Sequence, residues 1–157
     1  MFIIEGIITG VIATALFDLY QICLFYSYNI DKTRWNFVGR YFVGLKDGKF
    51  FQKDLFNERN VKNELLLGYL IHYLIGIIYG IFYIILNMIF FSSPSILLAL
   101  IIGFMTVLGG WCIMMPLAFN LGFFASKEKE QKKILVQNLM AHFIFGIGLF
   151  IGYSIII

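Results

Sequence analysis

Four stretches of this chain are each long and apolar enough to cross a lipid bilayer, and they leave little sequence for anything else. A helix needs about 20 residues to span a hydrocarbon core about 30 Å thick. The runs Phe2 to Tyr28, Leu65 to Phe91, Ser95 to about Ala125 and Ile134 to Ile157 all reach that length. One such run suits a buried core helix; four within 157 residues do not. With 61% hydrophobic and only 13% charged residues, the chain carries more apolar surface than a soluble domain of about 150 residues hides, which is about 70% of its chain area. Disorder needs the opposite balance. The two cysteines lie in apolar runs and build no disulfide scaffold, and the alternating strands of a transmembrane barrel are missing from the sequence. The predicted fold is all-α: a polytopic membrane protein with a four-transmembrane-helix bundle, one membrane domain over residues 1–157.

Charge placement sets the expected orientation. All twelve Lys and Arg residues fall in two connectors. The connector 29–64 holds Lys32, Arg34, Arg40, Lys46, Lys49, Lys53, Arg59 and Lys62, and 126–133 holds Lys127, Lys129, Lys132 and Lys133. Basic loops stay cytoplasmic, so both termini are expected outside, with the tip Phe91-Ser92-Ser93-Pro94. The net charge of +3 is thereby explained without nucleic acid. The start Met1-Phe2-Ile3-Ile4-Glu5 lacks a basic n-region and is read as a retained span. Within the first connector, Trp35, Val38, Tyr41, Phe42 and Leu45 share one helical face, while Arg34, Asn36, Arg40 and Lys46 supply a polar side. That pattern suits a short helix in the headgroup region, ended by Lys46-Asp47-Gly48-Lys49.

The second and fourth spans share His-x3-Gly-Ile-x3-Ile-x-Tyr, from His72 to Tyr83 and from His142 to Tyr153, at a constant offset of 70. Spans one and three echo each other more weakly, with Ile8, Gly10 and Thr14 against Ile101, Gly103 and Thr106. Two parallel-repeat helical hairpins, related by an axis along the membrane normal, would give such a pattern. Helices in lipid meet through small residues. Gly6 and Gly10, Gly76 and Gly80, and Gly148 and Gly152 have the small-xxx-small spacing. The stripes Gly68, His72, Gly76 and Asn138, His142, Gly146 are expected to face the bundle interior, and Pro116 to kink or end the third span.

Asp18 is the anomaly within a span, since an acid at mid-membrane costs about 2.5–3.5 kcal/mol on insertion scales. It belongs on an interior face with Gly10, Thr14 and Gln21. Asp18 lies ten residues before Tyr28, His72 seven after Leu65 and His142 eight after Ile134. At 1.5 Å per residue, all three sit on the order of 10–15 Å below the cytoplasmic surface. The trio Asp18, His72 and His142 can pin helix register as a satisfied polar cluster, relay protons, hold a metal ion, or clamp haem between its histidines. No Gly-rich phosphate loop, nucleophile elbow, CxxC or HExxH motif occurs, which leaves an enzyme of familiar type the weakest reading.

The ordered motifs run Gly10…Ala13-Thr14…Asp18-Leu19, Val38-Gly39-Arg40, Gly48-x-Phe50, and Glu64…Gly68-Tyr69-x-x-His72-Tyr73…Gly76. They continue with Pro116…Gly122…Ala125-Ser126 and His142-x-x-Phe145-Gly146-x-Gly148-Leu149. In this the chain resembles, over almost its whole length, the bacterial membrane family catalogued as domain of unknown function 2938. It departs from that pattern at Tyr69, where the family usually has Trp, and at Lys127 to Lys133, where the family has a Pro-containing stretch. The resemblance implies a four-span inner-membrane protein and no particular activity, and it places Asp18, Arg40, His72 and His142 on recurrent motif positions.

The leading functional expectation is proton-coupled or ion transport through the Asp18, His72 and His142 cluster, supported by Thr14, Arg40, Tyr69 and Asn138. Gly10, Gly68, Gly76 and Gly146 are the helix-packing residues of this reading. Four spans are few for a carrier, so a homo-oligomer or a membrane-protein partner is expected to supply further walls within the lipid bilayer. A scaffold or accessory subunit that presents the 29–64 connector is the second reading, and a metal- or haem-binding protein using the same trio is the third. The sequence names no cofactor.

Overall fold

The computed structural model of the protein describes residues 2–50, Gln52, Leu55 and 60–157. Lys53 and Arg59 of the basic connector, and Met1 of the retained start, lie outside the described residues. The described chain is all-helical: α1 (Phe2–Tyr28), α2 (Trp35–Lys46), α3 (Glu64–Phe90), α4 (Ile96–Leu117) and α5 (Gln131–Ile156). Four of these, all but α2, are long and apolar enough to cross a membrane. They are apolar on the outside as well. Ile4, Leu70, Ile78, Met88 and Phe104 are all exposed, a band of surface that suits hydrocarbon and not water. This is a membrane protein.

Pro116 shapes the end of α4. Its ring cannot donate a hydrogen bond and clashes with the carbonyl four residues earlier. The preceding turn widens into a π-helix over Gly110–Met114, with the Met115 amide reaching back to Gly110 O. The helical run then ends at Leu117, short of the Ala125 expected from the apolar stretch. Positive φ angles at Asn120 (51°), Gly122 (76°), Phe124 (53°) and Ala125 (54°) carry the chain through an irregular passage to α5.

By contact density the chain divides into two compact parts, residues 1–33, 73–106 and 139–157, and residues 34–72 and 107–138. In the first, glycines bring backbones together. A Cβ added at Gly10 would stand 2.5 Å from Gly76 O and 2.6 Å from Ile77 Cα, and one at Gly6 would stand 2.6 Å from Ile81 Cα. A Cβ at Gly103 would stand 2.6 Å from His142 O and 3.0 Å from Gly146 Cα. The Gly10–Gly76 approach of α1 on α3 thus recurs as Gly103–Gly146 of α4 on α5. Tyr83 and Tyr153, the matching tyrosines of the repeat, are both buried and meet edge to face at 5.9 Å. The α3–α4 turn is pinned by buried Asn87, which donates to Ser93 O (2.9 Å) and accepts from the Ser95 amide (2.8 Å).

In the second part α2 crosses the start of α3 where Gly39 meets the Glu64 carbonyl and Gly68 meets the Trp35 carbonyl. The apolar face of α2 does not lie bare. Phe37, Tyr41, Leu55 and Ala118 form a buried cluster, with Leu45, Met114 and Leu117 packed against it. Tyr41 donates to Phe50 O at 3.2 Å, and burial pushes its phenol above the usual range, which keeps the proton on the donor.

Candidate functional site

His142 stands in the first compact part, half-buried on α5. Its Nδ1 lies 2.8 Å from Thr106 Oγ1, and the same hydroxyl lies 2.6 Å from Gly103 O. A hydroxyl has one proton, and a carbonyl can only accept. The Thr106 proton therefore goes to Gly103 O, and His142 Nδ1 is the donor to Thr106 Oγ1. In the neutral imidazole Nδ1 then carries the proton and Nε2 is the acceptor nitrogen. Phe17 meets the ring edge to face at 5.4 Å. Asp18, the next residue on α1, is half-buried, and Thr14 one turn earlier is fully buried and donates to Gly10 O at 2.7 Å.

His72 belongs to the second compact part, where its ring stacks on Trp35 at 3.8 Å between centroids and 21° between planes. Tyr69, one turn earlier on α3, lies 6.2 Å from the same indole. Gly76 faces Thr14 and Gly10, whereas Gly68 faces Trp35. The stripe expected on one side of α3 thus meets α1 at one end and α2 at the other. Asn138 sits one turn before His142 along α5, and its Oδ1 is buried without a hydrogen-bond partner. Among the described residues, no three His, Cys, Asp or Glu side chains gather so as to hold a metal ion.

Arg40 departs from its expected place on the polar side of α2. It is 3% exposed and fully engaged. Nε and Nη2 make a bidentate pair with the two Glu64 oxygens, each at 2.8 Å. Nη2 also donates to Asn60 Oδ1, and Nη1 to Leu55 O, both at 2.8 Å. The Phe37 ring lies 5.1 Å from the guanidinium carbon. Glu64 in turn accepts from the Val61 amide at 2.9 Å. The charge is buried because its partners return to it from the far end of the connector, and this ties Leu55, Asn60 and Glu64 onto α2. The sequence singles out Arg40 and His72 but not Glu64 and Asn60 as partners of the first or Trp35 as partner of the second. The Gly10/Thr14 and Gly103/Thr106 echo was the one signal that pointed to Thr106.

A family model described as "Protein of unknown function (DUF2938)" matches residues 7–156. No curated protein and no solved structure matches the chain.

Proposed function

The chain belongs to the DUF2938 family, whose function is unknown, and from that premise we propose that it is a bacterial inner-membrane protein that moves protons or an ion through its polar intramembrane residues. Both termini face outward in this reading and connectors 29–64 and 126–133 face the cytoplasm, because every Lys and Arg lies in those two segments. The moving proton or ion is handled by Asp18, His72 and His142, with Thr14, Arg40, Tyr69 and Asn138 in support, and a homo-oligomer supplies the remaining walls. The observation that carries the reading is the Thr106–His142 pair. It engages the Nδ1 side of an imidazole within a membrane-length helix, where ionisable side chains mark ion and proton pathways.

The test is proton flux in proteoliposomes holding a trapped pH-sensitive dye, driven by an imposed potassium diffusion potential. Wild type is expected to dissipate the potential as proton flux, and Asp18→Asn and His142→Gln to lose at least tenfold of it. No flux from wild type, or equal flux from both variants, overturns the reading. One observation favours a second reading, in which the protein is a scaffold. The Arg40 clamp holds Leu55, Asn60 and Glu64 against α2, a fixed arrangement suited to a partner. A scaffold loses partner capture on Arg40→Ala and keeps it on His72→Gln.

A further inference from the structure

Five buried polar side-chain atoms have no hydrogen-bond partner among the described residues, and three of them come from the end of α4 and the beginning of α5: Trp111 Nε1, Gln137 Nε2 and Asn138 Oδ1. All three residues lie in the same compact part of the chain. Trp111 stands six residues before the end of α4 at Leu117, and Gln137 and Asn138 stand six and seven residues after the start of α5 at Gln131, so all three lie about two turns from the passage that joins the two helices. The Trp111 ring lies 5.5 Å from Phe124, whose carbonyl accepts from Gln131 Nε2 at 2.9 Å, and this ties the indole to the α5 end of the irregular passage.

The backbone at this place is unusual in a way that goes with ligand sites. Trp111 sits inside the π-turn Gly110–Met114, and single π-turns recur at functional sites. Asn120, Phe124 and Ala125 hold left-handed conformations that ordinary side chains disfavour. Irregular backbone at membrane depth persists where it is buried in protein or lines a wet cavity, and unpartnered donors and acceptors there are costly.

We propose that Trp111, Gln137 and Asn138 form a binding site for one neutral hydroxyl oxygen, that of water or of an alcohol. The complementarity is a matter of counting. The site offers two donor nitrogens, Trp111 Nε1 and Gln137 Nε2, and one carbonyl acceptor, Asn138 Oδ1; an O–H oxygen can accept one hydrogen bond from each nitrogen and donate one to the carbonyl. A carboxylate has no proton for Asn138 Oδ1, and a cation meets two donors. The site shares Asn138 with the proton-handling proposal, but neither its hydrogen-bond count nor its test depends on that proposal.

Trp111 is one of only two tryptophans, so its indole is its own probe. The difference between ultraviolet resonance Raman spectra of wild type and Trp111→Phe isolates the indole band that reports hydrogen bonding at N–H. A bonded N–H in aqueous detergent without added alcohol identifies water as the ligand. A bonded N–H only when glycerol is added identifies an alcohol. A free N–H under both conditions overturns the site. Gln137→Leu and Asn138→Leu are each expected to shift the band toward the free position, and an unshifted band in both overturns the shared ligand. Should the leucine variants fail to assemble, the same band in Trp35→Phe, where Trp111 is the sole tryptophan, decides the point.

Discussion

The hydroxyl of Thr106 has one proton, and its destination decides which imidazole nitrogen of His142 carries the ring proton. With that proton on Gly103 O, wild type is expected to show the Nδ1–H tautomer in ¹⁵N spectra of histidine-labelled protein. Thr106→Val removes the acceptor, and the His142 signals should move toward a mixture of tautomers while those of His72 stay in place. An Nε2–H tautomer in wild type would reverse the assignment. Arg40 is held by the opposite means, by many acceptors converging on one donor group. Arg40→Ala leaves the Glu64 carboxylate, 12% exposed, without its bidentate partner. Removing one member of a buried pair costs about 3–5 kcal/mol, and the expected cost is near the lower bound because Glu64 keeps the Val61 amide. Arg40→Lys should recover only part, since an ammonium lacks the planar fork that meets Glu64, Asn60 and Leu55 together. Limited proteolysis of the connector reads both: faster cleavage in the order alanine, lysine, wild type is the expected result.

At the scale of the helix, the glycines fall into kinds that sequence spacing cannot separate. Gly76 is closed off by Thr14 and Gly10, whereas a Cβ at Gly109 would meet nothing within 4 Å. Gly76→Ile is therefore expected to destabilise by about 1–3 kcal/mol or more, the usual cost of overpacking. Gly109 has φ −59° and ψ −41°, so Gly109→Ala suits its helical backbone. The expected gain is about 0.4–1 kcal/mol. Thermal unfolding in one fixed detergent compares the two, and equal loss from both would remove the packing argument. The helices themselves were readable because long apolar runs broken by clustered charge have few alternatives in water or lipid. The end of α4 was readable only in part. Pro116 announced a break, but hydropathy continues to Ala125 because apolar composition does not register the missing amide. Arg40 was misplaced for a related reason. Helical periodicity assigns it a polar face, and nothing local reveals acceptors at Leu55, Asn60 and Glu64, 15 to 24 residues away. The partners of the histidines were hidden likewise, since Thr106 stands 36 residues before His142.

For the whole molecule, the open quantity is direction across the membrane, and parity limits it to two arrangements. Four spans place both termini on one side, with the α3–α4 turn, and the two basic connectors on the other. The bias is complete, twelve basic residues against none, and each Lys or Arg held back from translocation acts through short loops near span ends. The connector 126–133 is such a loop, and its charges are exposed; Lys133 pairs with Glu130 on the same surface. The longer connector adds a second constraint, because moving it across the bilayer would carry the buried Arg40–Glu64 pair and its surrounding fold with it. Both effects favour connectors inside and termini outside. In a background of Cys23→Ala and Cys112→Ala, a cysteine at Ser93 or appended after Ile157 should react with a membrane-impermeant maleimide in intact cells. A cysteine at exposed Lys49 should react only after the membrane is opened. Reaction at Lys49 in intact cells, with Ser93 protected, would invert the topology and put Asp18, His72 and His142 nearer the outer surface than the inner one.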